Sequence, residues 1–414
     1  MIINGKLNLP GDKSISHRAV MLASLAKGKS EIRNLSSGKD VASTVSCLAN
    51  CGIQFSNGPE GLFVNGGMLK DPNVSLDCGN SGTTMRLLIG LLSGQGINAT
   101  LIGDESLSKR PMKRVINPLK KMGLNISSNN YKSPIDIRKS KLKGINYESP
   151  IASAQIKSCI LFAGIGAIGS TTFTEPDISR NHSEIMLNNI GATINSDNMK
   201  TVISFSNDFK PLNFTIPSDP STASFFIAAA ILIPDSALIL NRILLNKTRT
   251  GFIEAIKRMG CKIEYLDNWI ENGEKIGNIK VSHQKLMATT IAREDIPSII
   301  DELPILAVMA TQAKGITTVT GAKELRVKES DRISTICNNL ARMGANIHEL
   351  PDGFTIEGPT KLHGASIETC DDHRIAMTFK IASLITSGNV QLDNNSCAAI
   401  SFPEFDSTLE SLLQ

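Results

Sequence analysis

Six segments of the chain are apolar on nearly every side of a helix, and each begins near a polar residue that can cap a helix. The segments read AVMLASLA, MRLLIGLL, IKSCILFAGI, ASFFIAAAI, LPILAVMA and HRIAMTFKIA, and the polar residues are Ser14, Ser81, Ser153, Ser221, Asp301 and Asp371. A helix without a polar face belongs in a protein core. Because the segments recur at intervals of about 70 residues, the pattern predicts a sixfold internal repeat.

A second pattern with a similar period is an amphipathic helix that ends at a glycine and is followed by a short alternating strand. It predicts helices such as Lys113–Met122 and Ile333–Met343, and a strand at Asn125–Ser127. Glycine is favoured just after a helix because the backbone there often adopts left-handed torsion angles. Each repeat should therefore contain one buried helix, one amphipathic helix and several short strands. The glycines are Gly52, Gly123, Gly191, Gly260 and Gly344.

Six repeats are too many for one hydrophobic core, and a chain of 414 residues is long enough for two or three domains. The proline-rich stretch Pro211–Pro220 separates the third repeat from the fourth and is expected to carry the crossing. We therefore predict two similar α/β domains of three repeats each, with buried helices at the centre and sheets around them. If the buried helices run parallel, their N-termini face a cleft between the domains.

The composition is that of a globular enzyme. Hydrophobic residues make up 41% and charged residues 20% of the chain, and the net charge of +4 is too small to predict a nucleic-acid or membrane surface. The longest apolar run, Phe225–Ile233, is too short to span a bilayer, and the N-terminus shows no signal-peptide core. Eight scattered cysteines without a CxxC motif predict reduced thiols in the cytoplasm. Neither these cysteines nor the Asp-Asp-His sequence at 371–373 completes a metal site.

The residues beside the predicted helix starts are polar, and many are cationic. In PGDKSISHR at 10–18, Ser14 or Ser16 can cap a helix that Lys13 and Arg18 flank, and such a helix start favours an anion. Taken singly, each motif could equally be a capped surface helix or a solvated loop. Together they predict one or two small polyanions as ligands, because a polymer would need a wide basic surface. The cations are Lys13, Arg18, Arg86, Arg110, Arg180, Lys328, Arg332 and Arg374.

Acidic residues at the later helix starts are candidates for capping or proton transfer. Asp219 is expected to cap the fourth buried helix. Asp301 and Glu302 lie among aliphatic residues, where a carboxylate either caps a helix or serves as a general base. Lys328 and Arg332 are predicted to share one helix face at i, i+4, a repulsive spacing that favours an anion between them.

Together these motifs resemble those of the 5-enolpyruvylshikimate-3-phosphate synthase family, the 3-phosphoshikimate 1-carboxyvinyltransferases. The resemblance covers the whole chain through PGDKSISHR, GNSGTTMR, SLSKRPM, SAQ, SRNHSE, PSDPSTASFF, DELP, RVKESDR and DDHR. It implies an α/β (α+β) fold, an inside-out α/β barrel of two similar domains. Each domain would have three βαβαββ repeats with buried parallel helices surrounded by sheets. The implied domains are 12–217, and 1–11 with 218–414, with the active site in the cleft between them.

The resemblance implies transfer of the carboxyvinyl (enolpyruvyl) group of phosphoenolpyruvate to the 5-hydroxyl of shikimate 3-phosphate. Phosphate is released, and the reaction belongs to the shikimate pathway to chorismate and the aromatic amino acids. The implied catalytic residues are Lys13, Asp301, which takes the hydroxyl proton, and Glu329, which protonates the methylene carbon. Shikimate 3-phosphate would be bound by Lys13, Ser14, Arg18, Ser153, Ala154, Gln155, Ser179, Asp301 and Lys328. Phosphoenolpyruvate would be bound by Lys13, Gly82, Arg110, Gln155, Arg332 and Arg374.

The resemblance implies no cofactor or metal, and neither a nucleic acid nor a membrane as partner; the protein is expected to be a cytoplasmic monomer. The chain departs from the family pattern at two residues. Many members have a lysine near the C-terminus that binds phosphoenolpyruvate, whereas this chain has Ile400. Either Lys109, Arg110 or another cation compensates, or that role is absent. Leu87 stands where some members have proline.

Three other functions are weighed against this one. A UDP-N-acetylglucosamine enolpyruvyl transferase commonly has a cysteine in a mobile loop, and the corresponding loop here, Asp104–Met112, has none. A non-catalytic repeat scaffold for protein partners would not need cations at every cap. An RNA-end enzyme of related architecture is disfavoured by the mild charge and by an aromatic content of only 4%.

Overall fold

The chain folds into two units, and the computed structural model describes all residues from Met1 to Gln414. The N-terminal unit is Gly11–Ile216, and the C-terminal unit consists of Met1–Pro10 and Pro217–Gln414. No helix combines the length and the apolar character that crossing a bilayer requires.

Fourteen α-helices and two short 3-10 turns, Lys323–Val327 and Ser396–Ile400, occur along the chain. The helices are α1 Lys13–Leu25, α2 Lys39–Asn50, α3 Gly82–Gly94, α4 Glu105–Lys109, α5 Lys113–Lys121, α6 Ala154–Gly164, α7 His182–Asn189, α8 Pro220–Leu232, α9 Gly251–Arg258, α10 Ile296–Ile299, α11 Leu303–Thr311, α12 Arg332–Arg342, α13 His373–Ser383 and α14 Phe405–Leu412.

The strands are short and numerous, as the repeat pattern predicts. In the first half they are β1 Asn4–Asn8, β2 Gly28–Arg33, β3 Gln54–Asn57, β4 Gly61–Gly66, β5 Leu76–Asp77, β6 Ala99–Ile102, β7 Asn125–Asn129, β8 Lys132–Arg138, β9 Asn146–Glu148, β10 Ser170–Thr174, β11 Ile194–Asp197, β12 Lys200–Ser204 and β13 Asn213–Thr215. In the second half they are β14 Ala237–Leu244, β15 Glu264–Glu271, β16 Glu274–Ser282, β17 Leu286–Met287, β18 Thr290–Ile291, β19 Ala313–Val319, β20 Asn346–Leu350, β21 Gly353–Gly358, β22 Ser366–Ile367 and β23 Gln391–Leu392.

The three sheets of the N-terminal unit repeat one arrangement. Their strand orders are β13-β2-β4-β3, β5-β6-β8-β7 and β9-β10-β12-β11. In each sheet the first pair is parallel and the next two pairs are antiparallel. In the third sheet, for example, Thr172 lies opposite Asn146 on one side and Val202 on the other. The predicted organisation into repeats is confirmed in this unit.

The C-terminal unit follows the same arrangement in two sheets and then departs from it. The sheets β1-β14-β16-β15 and β17-β19-β21-β20 again combine one parallel pair with two antiparallel pairs, and β18 also pairs with β19. The last sheet has only the parallel pair β22-β23. The turn Ser396–Ile400 and α14 follow it where the other repeats have an antiparallel hairpin. The sixth repeat is therefore shorter, which explains why the glycine pattern occurs only five times.

The six predicted buried helices are α1, α3, α6, α8, α11 and α13. Every residue of α11 is buried, and so is every residue of α8 from Pro220 to Ile231. In the N-terminal unit, α3 packs closely on α6: a Cβ atom at Gly90 would lie 2.1 Å from the carbonyl oxygen of Cys159. In the C-terminal unit, the Phe226 ring packs on that of Phe405 in α14, with centroids 5.5 Å apart. The helices therefore form the cores, as predicted.

Capping side chains fix where most of these helices begin. The prediction that Ser14 or Ser16 caps α1 is wrong, because both already lie inside the helix. The cap is Asp12, whose Oδ1 accepts the Ile15 N–H at 2.8 Å. Glu302 precedes α11 without making a side-chain cap. The other caps are Ser81, Ser153, Asp219 and Asp372, which accept from the N–H groups of Thr84, Ile156, Ser221 and Arg374.

The glycine prediction is confirmed at all five positions. The φ angles of Gly52, Gly123, Gly191, Gly260 and Gly344 lie between 88° and 95°, in the left-handed region that side chains disfavour. Each of these residues ends the amphipathic helix of its repeat and sets the direction of the following strand.

Candidate active site

In the N-terminal unit, the start of α1 carries an ion pair. Lys13 Nζ lies 2.9 Å from Asp40 Oδ2, and both side chains are largely buried. Asp40 lies in the first turn of α2. The pair therefore fixes the ammonium of Lys13, a predicted catalytic residue, between the first turns of α1 and α2.

Arg18, one turn further along α1, is fixed by three neutral acceptors. Its Nε donates to Ser183 Oγ at 2.8 Å, and its Nη2 donates to Ser158 Oγ at 2.7 Å. Its Nη1 donates to the Ser14 carbonyl oxygen at 2.8 Å. A second guanidinium, that of Arg180, donates to Ser14 Oγ at 3.3 Å. Ser14, which is predicted to bind a phosphate, therefore lies between two arginines.

The starts of α3 and α6 are joined by an amide. Gln155 Oε1 accepts from Arg86 Nη1 at 2.9 Å, and Gln155 Nε2 donates to Thr83 Oγ1 at 3.0 Å. Gly82, the first residue of α3, leaves room for the guanidinium of Arg86: a Cβ atom there would lie 2.6 Å from Arg86 Nη1. The same atom would lie 3.5 Å from Arg110 Nη1, so the Gly82 backbone lies beside two arginines.

Arg110 is buried at the end of α4 and is held by two side chains. Its Nη2 donates to Asn80 Oδ1 at 2.8 Å and to Ser106 Oγ at 3.2 Å. Asn80 Nδ2 in turn donates to Asp104 Oδ2 at 2.8 Å. Lys109, which precedes Arg110, forms an ion pair with Glu105 at 2.7 Å, and both side chains are exposed. Of the two residues named as alternatives to the missing C-terminal lysine, Arg110 is fixed beside Gly82, whereas Lys109 is held in an exposed ion pair.

His17 is buried beneath these groups. Its Nδ1 lies 2.7 Å from Thr44 Oγ1, which lies 2.7 Å from Thr84 Oγ1, and Thr84 Oγ1 donates to Ser81 Oγ at 2.8 Å. Burial, and then the charges of Lys13 and Arg18, lower the pKa of His17 well below its ordinary value. The imidazole is therefore neutral, and it links α1 through hydroxyl groups to the start of α3.

Ser179 differs from the other predicted ligands. Its N–H and its hydroxyl both donate to the carboxylate of Glu175, at 3.1 and 2.6 Å. Ser153 caps α6. Ala154, the first residue of α6, accepts a hydrogen bond from Ser158 Oγ through its carbonyl oxygen. The structure thus brings eight predicted ligands to the starts of α1, α3 and α6 or directly beside them, and it shows Ser179 bound to a buried acid.

In the C-terminal unit, a carboxylate lies among three cations. Asp301 Oδ1 lies 3.5 Å from Lys328 Nζ, 3.6 Å from Arg332 Nη1 and 3.9 Å from Arg374 Nε. The Asp301 side chain is 12% exposed, so a ligand can reach it. Lys328, Arg332 and Arg374 therefore surround Asp301, and these are four of the five residues predicted in this unit.

Arg332 is the most strongly bound of these cations. It lies 2.6 Å from Glu329 Oε2 and donates to both carboxylate oxygens of Asp372, at 2.7 and 3.1 Å. Burial by itself lowers the pKa of this guanidinium, but Asp372, Glu329 and Asp301 outweigh burial and raise the pKa above its ordinary value. Arg332 is therefore charged throughout the accessible pH range.

The predicted helix face shared by Lys328 and Arg332 is wrong. The 3-10 turn ends at Val327, and α12 begins only at Arg332, after its cap Asp331. Lys328 lies between them in the connecting segment. The anion predicted between the two cations is at least in part the protein's own Asp301.

A buried arginine that the sequence analysis did not single out supports this arrangement. Arg249 Nη2 donates to Asp219 Oδ1 at 3.0 Å and to Ser221 Oγ at 2.9 Å, and its Nη1 lies 3.7 Å from Glu302 Oε1. Ser221 Oγ also donates to Glu302. The network fixes the residue next to Asp301. No local pattern in the sequence marks Arg249, because its partners are far away along the chain.

The residue clusters of the two units have definite chemical capabilities. Several fixed cations and helix N-termini in each can hold phosphate and carboxylate groups. Asp301 and Glu329 can transfer protons. No group of three or more His, Cys, Asp or Glu side chains is arranged to hold a metal ion. Ile400, at the end of its 3-10 turn, contributes no charge.

Comparisons with known proteins agree over nearly the full length. Residues 2–409 match the family model described as EPSP synthase (3-phosphoshikimate 1-carboxyvinyltransferase). A 3-phosphoshikimate 1-carboxyvinyltransferase of Thermodesulfovibrio yellowstonii is 47% identical, over 99% of this chain and 97% of the relative. The enzyme of the same name from Brevibacillus brevis is 42% identical, over 100% and 98%.

Solved structures show the same fold. The chain superposes on an EPSP synthase of Acinetobacter baumannii with a TM-score of 0.88 and 38% identity, covering 99% of this chain and 96% of that one. The enolpyruvyl transferase NikO of Streptomyces tendae has a TM-score of 0.79 at 16% identity, covering 99% and 95%. The latter likeness concerns the fold alone.

Proposed function

The chain belongs to the EPSP synthase (3-phosphoshikimate 1-carboxyvinyltransferase) family, and we propose on this basis that it transfers the carboxyvinyl group of phosphoenolpyruvate to the 5-hydroxyl of shikimate 3-phosphate. The hydroxyl oxygen adds to C2 of phosphoenolpyruvate while C3 takes a proton, which gives a tetrahedral intermediate. Loss of a proton from the new methyl group and of phosphate from C2 then restores the double bond. The product belongs to the biosynthesis of the aromatic amino acids.

The observation that carries this proposal is the surroundings of Asp301. A partly exposed carboxylate with three cations within 3.9 Å can accept a hydroxyl proton while the cations bind an anionic substrate. Both substrates carry phosphate and carboxylate groups, so they repel each other. Fixed cations lower the cost of holding them together for reaction.

We propose the following ligands for shikimate 3-phosphate. Ser14 and Arg18 lie together at the start of α1, beside Arg180, and offer hydroxyl and guanidinium donors for a phosphate. Ser179 is proposed as a ligand through its hydroxyl, which donates to Glu175 and has to rotate away from it to reach the substrate. Its backbone stays held by Glu175 and Lys157 during this rotation. The full set is Lys13, Ser14, Arg18, Ser153, Ala154, Gln155, Ser179, Asp301 and Lys328.

Phosphoenolpyruvate is proposed to bind to the remaining cations. Gly82 begins α3 and lies beside Arg110, which ends α4. Arg332 and Arg374 lie beside Asp301. The open backbone at Gly82 lets a small anion approach the neighbouring guanidinium groups. The full set is Lys13, Gly82, Arg110, Gln155, Arg332 and Arg374.

Glu329 is proposed to protonate the methylene carbon. Its carboxylate lies 2.6 Å from Arg332 Nη2 and forms an ion pair with it. Binding of an anion to Arg332 would compete with this pair and release the carboxylate for proton transfer. Lys13, which is paired with Asp40, is proposed to contact both substrates.

The direct test is release of phosphate from phosphoenolpyruvate by the purified protein. It is measured with shikimate 3-phosphate, with UDP-N-acetylglucosamine and with neither acceptor. The proposal expects release only with shikimate 3-phosphate. Release only with the UDP-sugar would assign the chain to the other transferase activity, and no release by a folded sample would contradict the proposal.

The protein is proposed to be located in the cytoplasm and to be a monomer. All eight cysteines are free, and seven of them are buried, which suits a reducing compartment. Light scattering coupled to gel filtration tests the second statement, with a single species near 44.5 kDa as the expected result.

A further inference from the structure

Lys157 is a buried ammonium in the first turn of α6. Its Nζ lies 2.7 Å from Glu175 Oε1, 2.7 Å from Glu184 Oε1 and 3.3 Å from the Ser179 carbonyl oxygen. The side chains of Lys157, Glu175 and Glu184 are 3%, 2% and 8% exposed. An ammonium has three N–H donors, and these three acceptors use all of them. Lys157 therefore has no donor left for a ligand.

Glu175 connects this ammonium to Ser179. Its Oε1 accepts the Ser179 N–H at 3.1 Å, and its Oε2 accepts the Ser179 hydroxyl at 2.6 Å. Lys157 also donates to the carbonyl oxygen of Ser179. The N–H, the hydroxyl and the carbonyl of Ser179 are therefore all bound to buried charged groups. Hydrogen bonds to charged groups are the stronger kind. Since Ser179 lies outside helices and strands, this cluster sets its conformation.

The segment that Lys157 and Glu175 fix leads directly into the shikimate 3-phosphate ligands. Arg180 follows Ser179 and donates to Ser14 Oγ at 3.3 Å. Ser183 accepts from Arg18 Nε at 2.8 Å. A displacement of Ser179 would therefore move the partners of both Ser14 and Arg18.

Stability alone does not account for the cluster. It buries two carboxylates against one ammonium, and apolar residues of similar volume are often as stabilising as a buried ion pair, or more so. Glu184 Oε2 is buried without any hydrogen-bond partner, which adds to the cost. The cluster costs free energy and contacts Ser179, a predicted ligand. It is therefore better explained by the conformation that it imposes on Ser179.

We propose that Lys157 is a positioning residue for shikimate 3-phosphate. Its ammonium, acting through Glu175, holds the segment from Ser179 to Ser183 in the conformation that completes the phosphate site around Ser14. The inference rests on the proposed function and deepens it, because it assigns a role to a group that does not touch the substrate.

Three variants test the proposal in the full-length protein. Lys157→Met removes the charge at similar length, and Glu175→Asp keeps the charge but withdraws the carboxylate from Ser179 by one methylene. Both are expected to raise the KM for shikimate 3-phosphate at least about tenfold and to leave the KM for phosphoenolpyruvate within about twofold. Glu184→Gln is the matched control. It contacts the same ammonium but not Ser179, so both KM values should stay within about twofold of wild type.

A merely structural role predicts a different result. Lower melting temperatures for Lys157→Met and Glu175→Asp, with both KM values unchanged, would overturn the proposal. If Lys157→Met does not fold, Glu175→Asp decides the question, since it retains all three charges. Failure of the proposed function is a separate outcome, in which the wild-type protein itself shows no turnover with shikimate 3-phosphate.

Discussion

The carboxylate of Asp372 accepts two hydrogen bonds from the guanidinium of Arg332, at 2.7 and 3.1 Å. Neither side chain is more than 1% exposed. The same carboxylate accepts the Arg374 N–H at 2.9 Å and so caps α13. One buried acid therefore fixes the guanidinium of Arg332 and the backbone of Arg374, the two arginines that lie beside Asp301.

Replacing Asp372 by alanine tests this relationship. The change leaves Arg332 buried without its main counter-charge, so the free energy of unfolding should fall by about 3–5 kcal/mol. The KM for phosphoenolpyruvate should rise at least about tenfold, because two proposed ligands lose their support. Urea unfolding and initial rates measure the two effects. The matched control is Asp371→Asn, a change at the exposed neighbouring residue, which should alter neither the free energy of unfolding nor the KM. An unchanged KM for phosphoenolpyruvate in folded Asp372→Ala would contradict the proposed role of Asp372.

Asp301→Asn separates binding from proton transfer. The amide keeps the size of the side chain but cannot serve as a base, so kcat should fall by about 10²–10⁴. Binding of shikimate 3-phosphate should persist, because Lys328 and the proposed ligands in the N-terminal unit remain. Rapid-quench turnover and titration calorimetry give the two quantities. Asp295→Asn, at the half-buried start of α10 where Asp295 pairs with Arg258, serves as control. Wild-type turnover by Asp301→Asn would exclude Asp301 as the base.

Gly82→Ala should weaken phosphoenolpyruvate binding selectively. The added Cβ would lie 2.6 Å from Arg86 Nη1, closer than any stable contact, so the guanidinium must shift. We expect the KM for phosphoenolpyruvate to rise at least about fivefold while the KM for shikimate 3-phosphate changes little. Thr83→Ser adds no volume and keeps the hydroxyl that accepts from Gln155. It should behave like wild type, and equal effects of the two substitutions would refute the steric argument.

His17 should make stability fall in weakly acidic solution. Its pKa is lowered in the folded protein, chiefly by burial, so below about pH 6.5 the unfolded state binds a proton that the folded state does not. This contribution to the free energy of unfolding is then fully present above about pH 6.5. It is lost by up to about 1.4 kcal/mol per pH unit as the pH falls towards the pKa of His17 in the folded protein. Unfolding curves between pH 7.5 and 5 measure this slope.

The matched variants for this pH dependence are His17→Gln and His348→Gln. The first removes the buried imidazole and should flatten the slope, although it also lowers stability at neutral pH. The second changes an exposed residue of β20 and should leave the slope intact. An identical slope in wild type and His17→Gln would mean that other groups are responsible.

Features that depend on local chemistry could be predicted from the sequence. The glycines that end the amphipathic helices and the cap Asp219 were identified because each obeys a rule involving only a few neighbouring residues. The apolar segments were identified because a helix without a polar face has to be buried. Even here, Asp12 was missed as a cap because two serines close by are equally good candidates.

Features that depend on distant partners could not be predicted. The pairing of Arg332 with Asp372 joins residues 40 apart, and the contact of Arg18 with Ser183 joins residues 165 apart. The resemblance to a family supplied Arg18 and Arg332 as ligands but not the acids and hydroxyls that fix them. The break between Lys328 and Arg332 was also missed, because the charge spacing fits an uninterrupted helix and the cap Asp331 was not recognised.

The central claim is that the carboxyvinyl group is transferred to shikimate 3-phosphate. It is tested most directly by identifying the product of the purified protein with both substrates, by phosphorus NMR and mass spectrometry. The account predicts one new species, shikimate 3-phosphate carrying a carboxyvinyl ether at the 5-hydroxyl, formed in equal amount to the phosphate released. Phosphate release without that species, or unchanged substrates with folded protein, would contradict the account.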